Sequence, residues 1–332
     1  AKFLAMNMSR WGFKPAGDDG TFFQKIALRR DIIDPVSTSV RVGGESYSYG
    51  EDLARASGSG NVSGPIVFVG NGWKIKSKGM DPYANIDVKD KIVAVYAEGQ
   101  FGGRSMIPPP AGVSQADLPA SARGNDWDDP INYARANGAA GLLILPSKFL
   151  QDNWSAVTQN FGRGRLVVDK LTPPAPAPLQ PVQSMSVMFA SPRLANAIFS
   201  GEAGNPLAGH TGSFQLKAAK TMEVNVANKT ETIWTQNVVA LWEGSDPALK
   251  SEMVAIGAHY DHVGTNPNAP GEDKIWNGAD DDGSGTVAVL AIAEALARSK
   301  AKPKRSILFV WHAGEEKGLW GANYFNKFPT VN

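Results

Sequence analysis

The side chains best suited to chemistry sit in three short glycine-rich segments in the last quarter of the chain. They are Gly257-Ala258-His259-Tyr260-Asp261-His262, Asn277-Gly278-Ala279-Asp280-Asp281-Asp282-Gly283-Ser284-Gly285 and Gly314-Glu315-Glu316-Lys317-Gly318. Imidazoles and carboxylates in this mixture suit divalent cations, and a pair of such ions serves hydrolysis. The chain has no cysteine, so any metal must be held by His, Asp and Glu.

The three segments offer different chemistry. A histidine followed two residues later by an aspartate suits a metal ligand with a carboxylate that orients or polarises it. The three consecutive acids 280–282 precede a helical pattern, and helix capping accounts comfortably for one of them. A calcium loop of the EF-hand kind does not fit, because its first and twelfth positions would fall on Gly278 and Val289. A phosphate-binding P-loop lacks its Gly-Lys-Ser/Thr. What remains is a carboxylate that bridges two cations, with Asp282 or Ser284 free to cap the helix. In the third segment, adjacent glutamates at a strand end point in different directions. One can bind metal while the other reaches an attacking water as general base. His262 and His312 are further imidazoles, read as structural.

Elements that would position these residues are legible around them. Apolar runs at 253–258 and 307–311 read as strands and 284–299 as a helix whose stripe is Val287, Leu290, Ala291 and Leu296. Near-continuous apolar strands with a crossover helix predict an α/β fold with a mostly parallel mixed sheet sandwiched by helices. Ligands in such sheets bind beyond the carboxyl ends of strands, where His259 and the glutamates would fall. Further strands are expected at 22–28, 214–217, 221–226 and 237–242, and a helix at 3–11 stopped by Gly12. Between about 36 and 210, strands at 66–70, 91–96, 141–145 and 184–189 and helices at 130–137 and 192–199 suggest a compact β-rich module. A proline-rich loop covers 173–181, and no His–acid cluster appears in this region.

Composition narrows the partners. Lys and Arg total 33 against 32 Asp and Glu, a net charge of +1, which gives no electrostatic reason to expect nucleic acid. No apolar run approaches the roughly 20 residues of a membrane span. Ala1-Lys2-Phe3-Leu4 reads as the inside of an amphipathic helix, not as a secretory leader.

In order and residue type the three segments resemble the co-catalytic zinc aminopeptidases related to aminopeptidase Y, a family that includes prostate-specific membrane antigen. The resemblance extends to Phe13-Lys14-Pro15-Ala16-Gly17-Asp18 and Phe22-Phe23-Gln24, similar to the start of the family's peptidase domain. It also covers Ile66-Val67-Phe68-Val69-Gly70, Lys91-Ile92-Val93-Ala94-Val95 and Tyr133-Ala134-Arg135-Ala136-Asn137-Gly138, which look like its inserted protease-associated domain. It implies two zinc ions, with His259 on one, Asp281 bridging both and Glu316 on the other. It further implies Glu315 as general base and Asp261 as the residue that orients His259. The domains it implies are 1–36 as the N-terminal part of the peptidase domain, 37–212 as the insert, and 213–332 as a peptidase domain incomplete at its C-terminus.

Such a site needs a further Asp and His, yet residues 318–332 contain no Asp, Glu or His. Both ligands are therefore expected beyond Asn332, from a missing segment or a second chain. The expected activity is release of N-terminal residues from peptide substrates, in a secreted or periplasmic protein. The alternatives are a non-catalytic binding protein on the same fold and a glutaminyl-cyclase-like acyltransferase.

Overall fold

The computed structural model describes residues 1–96, 98, 107–172, 185–217, 220–266, 269, 271–299 and 302–331. The proline-rich stretch 173–181, the first residue of the strand expected at 184–189, and Asn332 lie outside the described residues. The chain divides into two compact units. One comprises 1–30, 165–174 and 231–332, the other 31–164 and 175–230.

The first unit is built on a six-stranded sheet. In chain order its strands are β1 (Lys14–Pro15), β2 (Phe23–Ile33), β3 (Arg165–Val168), β4 (Asn228–Trp242), β5 (Met253–His259) and β6 (Ser306–His312). Their spatial order is β3-β2-β4-β6-β5, with β1 paired to β4. The helices are α1 (Lys2–Arg10), α2 (Gly285–Ser299) and α3 (Trp320–Lys327). Alternation along the strands decides which helix lies where. Val238, Ala240, Phe309 and Trp311 pack with Leu4 and Met8 of α1 and Val289 and Ala293 of α2. The intervening Val239, Leu308 and Val310 form a separate cluster with Phe325 of α3 packed against it.

This sheet is mixed and not mostly parallel, a correction to the sequence reading. β5 and β6 are parallel, but β4 runs antiparallel to β6 and β1 antiparallel to β4. Parallel neighbours require a long crossover, and here α2 supplies the one between β5 and β6. β5 ends the strand order, so it is not buried on both faces as its apolar sequence suggests, and Val254 is 54% exposed.

The second unit contains the longer parallel run. Val62–Phe68, Ile92–Val95, Gly141–Ile144 and Ser186–Ala190 pair in parallel, with antiparallel strands flanking them. Odd and even positions separate cleanly into two cores. Ile66, Phe68, Ile92, Ala94, Leu143 and Met188 lie in one, Val67, Val93, Val95, Leu142, Ile144 and Val187 in the other. The strands expected at 214–217 and 221–226 hydrogen-bond into this sheet, against Val62–Phe68 and Ser39–Val42. Met222 and Val224 are buried among Val40 and Val42, while Thr221, Glu223 and Asn225 face out. A one-sided strand of that kind is satisfied by antiparallel neighbours.

Candidate functional site

The β5-α2-β6 unit brings the three glycine-rich segments together. β5 and β6 are in register to their last residues, with His259 beside His312. The loops after both strands therefore leave from the same edge, and the first turn of α2 starts there too. That turn is fastened to β5 at several points. Asp282 accepts from the Gly285 amide through Oδ1 (3.0 Å) and from the His259 amide through Oδ2 (3.1 Å). The Thr286 hydroxyl donates to the His259 carbonyl at 2.7 Å. Asp282 thus caps the helix, which frees Asp281 for other work.

His259 is held with one ring nitrogen committed. Its Nδ1 lies 2.9 Å from the Asp261 carbonyl oxygen, which makes Nδ1 the donor and leaves Nε2 an open acceptor. Nε2 is 3.0 Å from Asp281 Oδ1 and 3.8 Å from Glu315 Oε2. The Asp261 carboxylate, expected to orient this ring, stands 3.9 Å from Nδ1. Its Oδ2 instead accepts from the Gly314 amide at 2.6 Å, tying the histidine loop to the glutamate loop. Asp261 therefore acts on the ring through its main chain. Burial pulls the His259 imidazole down, but the Asp261 carbonyl and the carboxylates of Asp282, Glu315 and Asp281 outweigh it, and its pKa is raised above the ordinary value.

The glutamate loop has its own anchor, which the sequence reading missed. Asn237 of β4 is fully buried and donates to Gln24 Oε1 (2.8 Å) and the Gly321 carbonyl (2.9 Å), while its Oδ1 accepts from the Ala313 amide (3.0 Å). A side chain at Gly321 would collide with Asn237 Oδ1 at 2.2 Å. The signal available in the sequence is weak, because Asn237 follows Thr235-Gln236 and reads as the polar start of the apolar run 238–242; its burial makes it an anchor, since a buried amide must be satisfied. Gly314 adopts φ +74°, a turn that sends Glu315 and Glu316 apart.

Glu316 meets a histidine read as structural from the sequence. His262 Nδ1 lies 2.5 Å from Glu316 Oε1, and ligand atoms of His262, Asp281 and Glu316 all fall within 4.8 Å of one another. His312 stays outside this group. Its ring packs edge-on to Phe325, and burial lowers its pKa.

The donor set fits divalent cations. Among the described residues, five carboxylates converge here and their ion-pair partners are the two imidazoles of His259 and His262. Buried Asp261 Oδ1, His262 Nδ1 and Glu316 Oε1 have no hydrogen-bond partner. Uncompensated negative charge and unsatisfied acceptors are what a bound cation removes. A separate cavity of about 590 Å³ is lined by Lys25, Trp234, Thr235, Gln236 and Tyr260, and none of the five carboxylates lines it. Burial pushes the Tyr260 hydroxyl up to about 12, so it stays protonated and donates to the Gln236 carbonyl.

Residues 237–331, which carry the five converging carboxylates and the imidazoles of His259 and His262, match the sequence profile of peptidase family M28. Aminopeptidase Y of Saccharomyces cerevisiae is 39% identical over 95 residues, which is 29% of this chain and 15% of the yeast protein. Probable leucine aminopeptidase 2 of Aspergillus fumigatus is 34% identical over 125 residues, 37% of this chain and 22% of that protein. Leupeptin-inactivating enzyme 1 of Streptomyces exfoliatus is 33% identical over 96 residues, 29% and 19% of the two chains. The chain thus spans no more than 22% of the length of these curated relatives. Among solved structures, the aminopeptidase from Aneurinibacillus sp. strain AM-1 aligns with 98% of this chain and 59% of its own, at 16% identity and a TM-score of 0.36, too loose a superposition to bear on function.

Proposed function

We propose that this chain holds catalytic side chains of a zinc-dependent aminopeptidase, a reading supported by the match of residues 237–331 to the profile of peptidase family M28. The observation that carries the proposal is the convergence of His259, Asp281, Glu315 and Glu316 at the ends of two parallel strands. Names of relatives point the same way, since aminopeptidase Y and leucine aminopeptidase 2 both align over this segment.

His259 Nε2 would hold one zinc and Glu316 the other, with Asp281 between them. The chemistry zinc supplies in such a site is Lewis acidity toward the scissile carbonyl and a more acidic attacking water. Glu315 takes the proton of that water as its oxygen attacks the carbonyl carbon, then delivers it to the departing amine nitrogen as the C–N bond breaks. Asp261 keeps His259 and the Gly314 turn in mutual register through its carbonyl and carboxylate. The unit of 31–164 and 175–230 interrupts the peptidase unit in sequence, which supports its reading as the protease-associated insert. By analogy with such enzymes, two zinc ions and a secreted or periplasmic location belong to the same proposal.

The test is hydrolysis of an unblocked leucyl-anilide before and after chelation, with zinc restored afterwards. Chelator-sensitive release that returns with zinc, and no cleavage of an N-terminally acetylated substrate, is the expected result. Release that survives complete removal of metal would sink the proposal.

A further inference from the structure

We propose that the cavity beside Tyr260 is a carboxylate-selective subsite for the part of a peptide beyond the scissile bond, with Lys25 as its charge anchor and Trp234 as its apolar wall. The inference rests on the peptidase reading above and adds the class of substrate: short peptides with a carboxylate in the two residues after the N-terminal one.

The first observation is position. Tyr260 follows His259, and its amide donates to the His312 carbonyl at 3.1 Å. Its side chain crosses the end of β6, and the hydroxyl donates to the Gln236 carbonyl on β4 at 2.6 Å. Gln236 in turn precedes Asn237, the anchor of the glutamate loop. The cavity lined by Lys25, Trp234, Thr235, Gln236 and Tyr260 therefore lies along the same sheet edge as the carboxylates, displaced toward β2. Its volume of about 590 Å³ is that of a small-ligand cleft.

The second observation is reach. The Val239 amide donates to the Phe22 carbonyl and Arg30 pairs with Glu231, so β2 runs against β4 with Lys25 opposite Gln236. Three strand spacings separate β5 from β2, about 14 Å. Two residues of extended peptide and the four-carbon stem of a lysine together cover such a span. One short substrate can thus meet His259 at one end and Lys25 at the other.

The third observation is the chemistry of the lining, which holds one cation and no acid. Among the described residues no carboxylate stands within ion-pair distance of the Lys25 ammonium, and nearby Asp18 accepts from the Lys25 main-chain amide instead, at 2.7 Å. Trp234 is 65% exposed, so its indole offers open stacking area beside the cavity. Tyr260 is fixed by the Gln236 carbonyl and the Thr235 side chain, which leaves little of the wall to be ordered on binding. The competing role for Lys25 is a solvated surface charge, indifferent to which substrate is bound.

The experiment compares paired substrates on the zinc-loaded protein. Leucyl-glutamyl-amide against leucyl-glutaminyl-amide reads a side-chain carboxylate; leucyl-glycine against leucyl-glycinamide reads a chain-terminal one. In the wild type, kcat/KM should favour the acidic member of at least one pair by about tenfold, the size of one charged hydrogen bond, and that pair identifies the source. Lys25→Gln should bring the ratio to about one, Lys25→Arg should keep most of it, and Lys25→Glu should turn it below one. Trp234→Ala should cut the preference for leucyl-phenylalaninamide over leucyl-glycinamide by about fivefold. Cleavage without a charge preference, or a preference that Lys25→Gln retains, overturns the inference and leaves the peptidase reading intact. Failure to cleave any unblocked leucyl peptide overturns the peptidase reading and the subsite with it.

Discussion

The two units answer the same topological rule with opposite results. In each, parallel strands end at a common edge where an α/β sheet can host chemistry. In the second unit those ends are occupied by helix caps. Ser147 accepts from the Leu150 amide and Ser191 from the Leu194 amide, so each hydroxyl is consumed in starting a helix. The strands behind them are buried on both faces. In the first unit, one residue of the aspartate loop, Asp282, does the capping, and Asp281, His259, His262, Glu315 and Glu316 are left facing one another. Topology supplies a place; the surplus of side chains over structural duties supplies the function.

The comparison breaks if the strand ends of the first unit prove dispensable. Glu315→Gln should lower kcat by about 10³-fold with zinc content unchanged, the size expected of a general base, while Ser147→Ala leaves kcat alone. A loss under tenfold for Glu315→Gln would remove the contrast. Core truncation sharpens it. Phe309→Ala and Leu143→Ala both empty fully buried sites and should each cost about 3–4 kcal/mol in urea unfolding. Per folded molecule, only Phe309→Ala should also weaken zinc binding, because β6 delivers the glutamates.

Asn237→Ala leaves the Ala313 amide and the Gly321 carbonyl without their partner. It should destabilise by about 2 kcal/mol and, by loosening the glutamate loop, reduce kcat by up to about 100-fold. Ser191→Ala should cost about 1 kcal/mol through its lost cap and change neither zinc content nor kcat. The smallest effect is one of pH. Burial lowers the His312 pKa, so between that lowered value and the ordinary value of about 6.5 the unfolded chain binds more protons. His312 therefore contributes stability above about pH 6.5 that is lost as pH falls through its folded value, and His312→Phe should flatten urea midpoints measured across that interval.

Much of this was legible in the sequence because its signals are local. The apolar runs ending at His259 and His312 need no knowledge of distant neighbours, but the stripe expected on α2 was misplaced: Val287 is 61% exposed, and Val289 and Ala293 are the buried positions. What escaped depends on pairing. Whether β4 runs with or against β6 is not written in either strand, so the sheet was expected to be mostly parallel. The run Met222, Val224 was grouped by sequence order with the C-terminal domain expected at 213–332, whereas its partners Val40 and Val42 belong to the second unit. α3 escaped for another reason: Trp320-Gly321-Ala322-Asn323-Tyr324 is poor in strong helix formers, and its burial of Tyr324 and Phe325 outweighs propensity. His262 was passed over because its neighbour Glu316 is 54 residues away in sequence, a separation no spacing rule bridges.

Asp282 gives two of its oxygens to different elements, one to the start of α2 and one to the end of β5. Fraying of that first helical turn and release of the strand end are therefore a single opening event, not two. Amide hydrogens of Gly285 and His259 should exchange with deuterium at a common rate, and the rate should slow for both when the carboxylate cluster is neutralised. The helix start would then serve as a reporter, readable without substrate, of how firmly the strand-end residues are held.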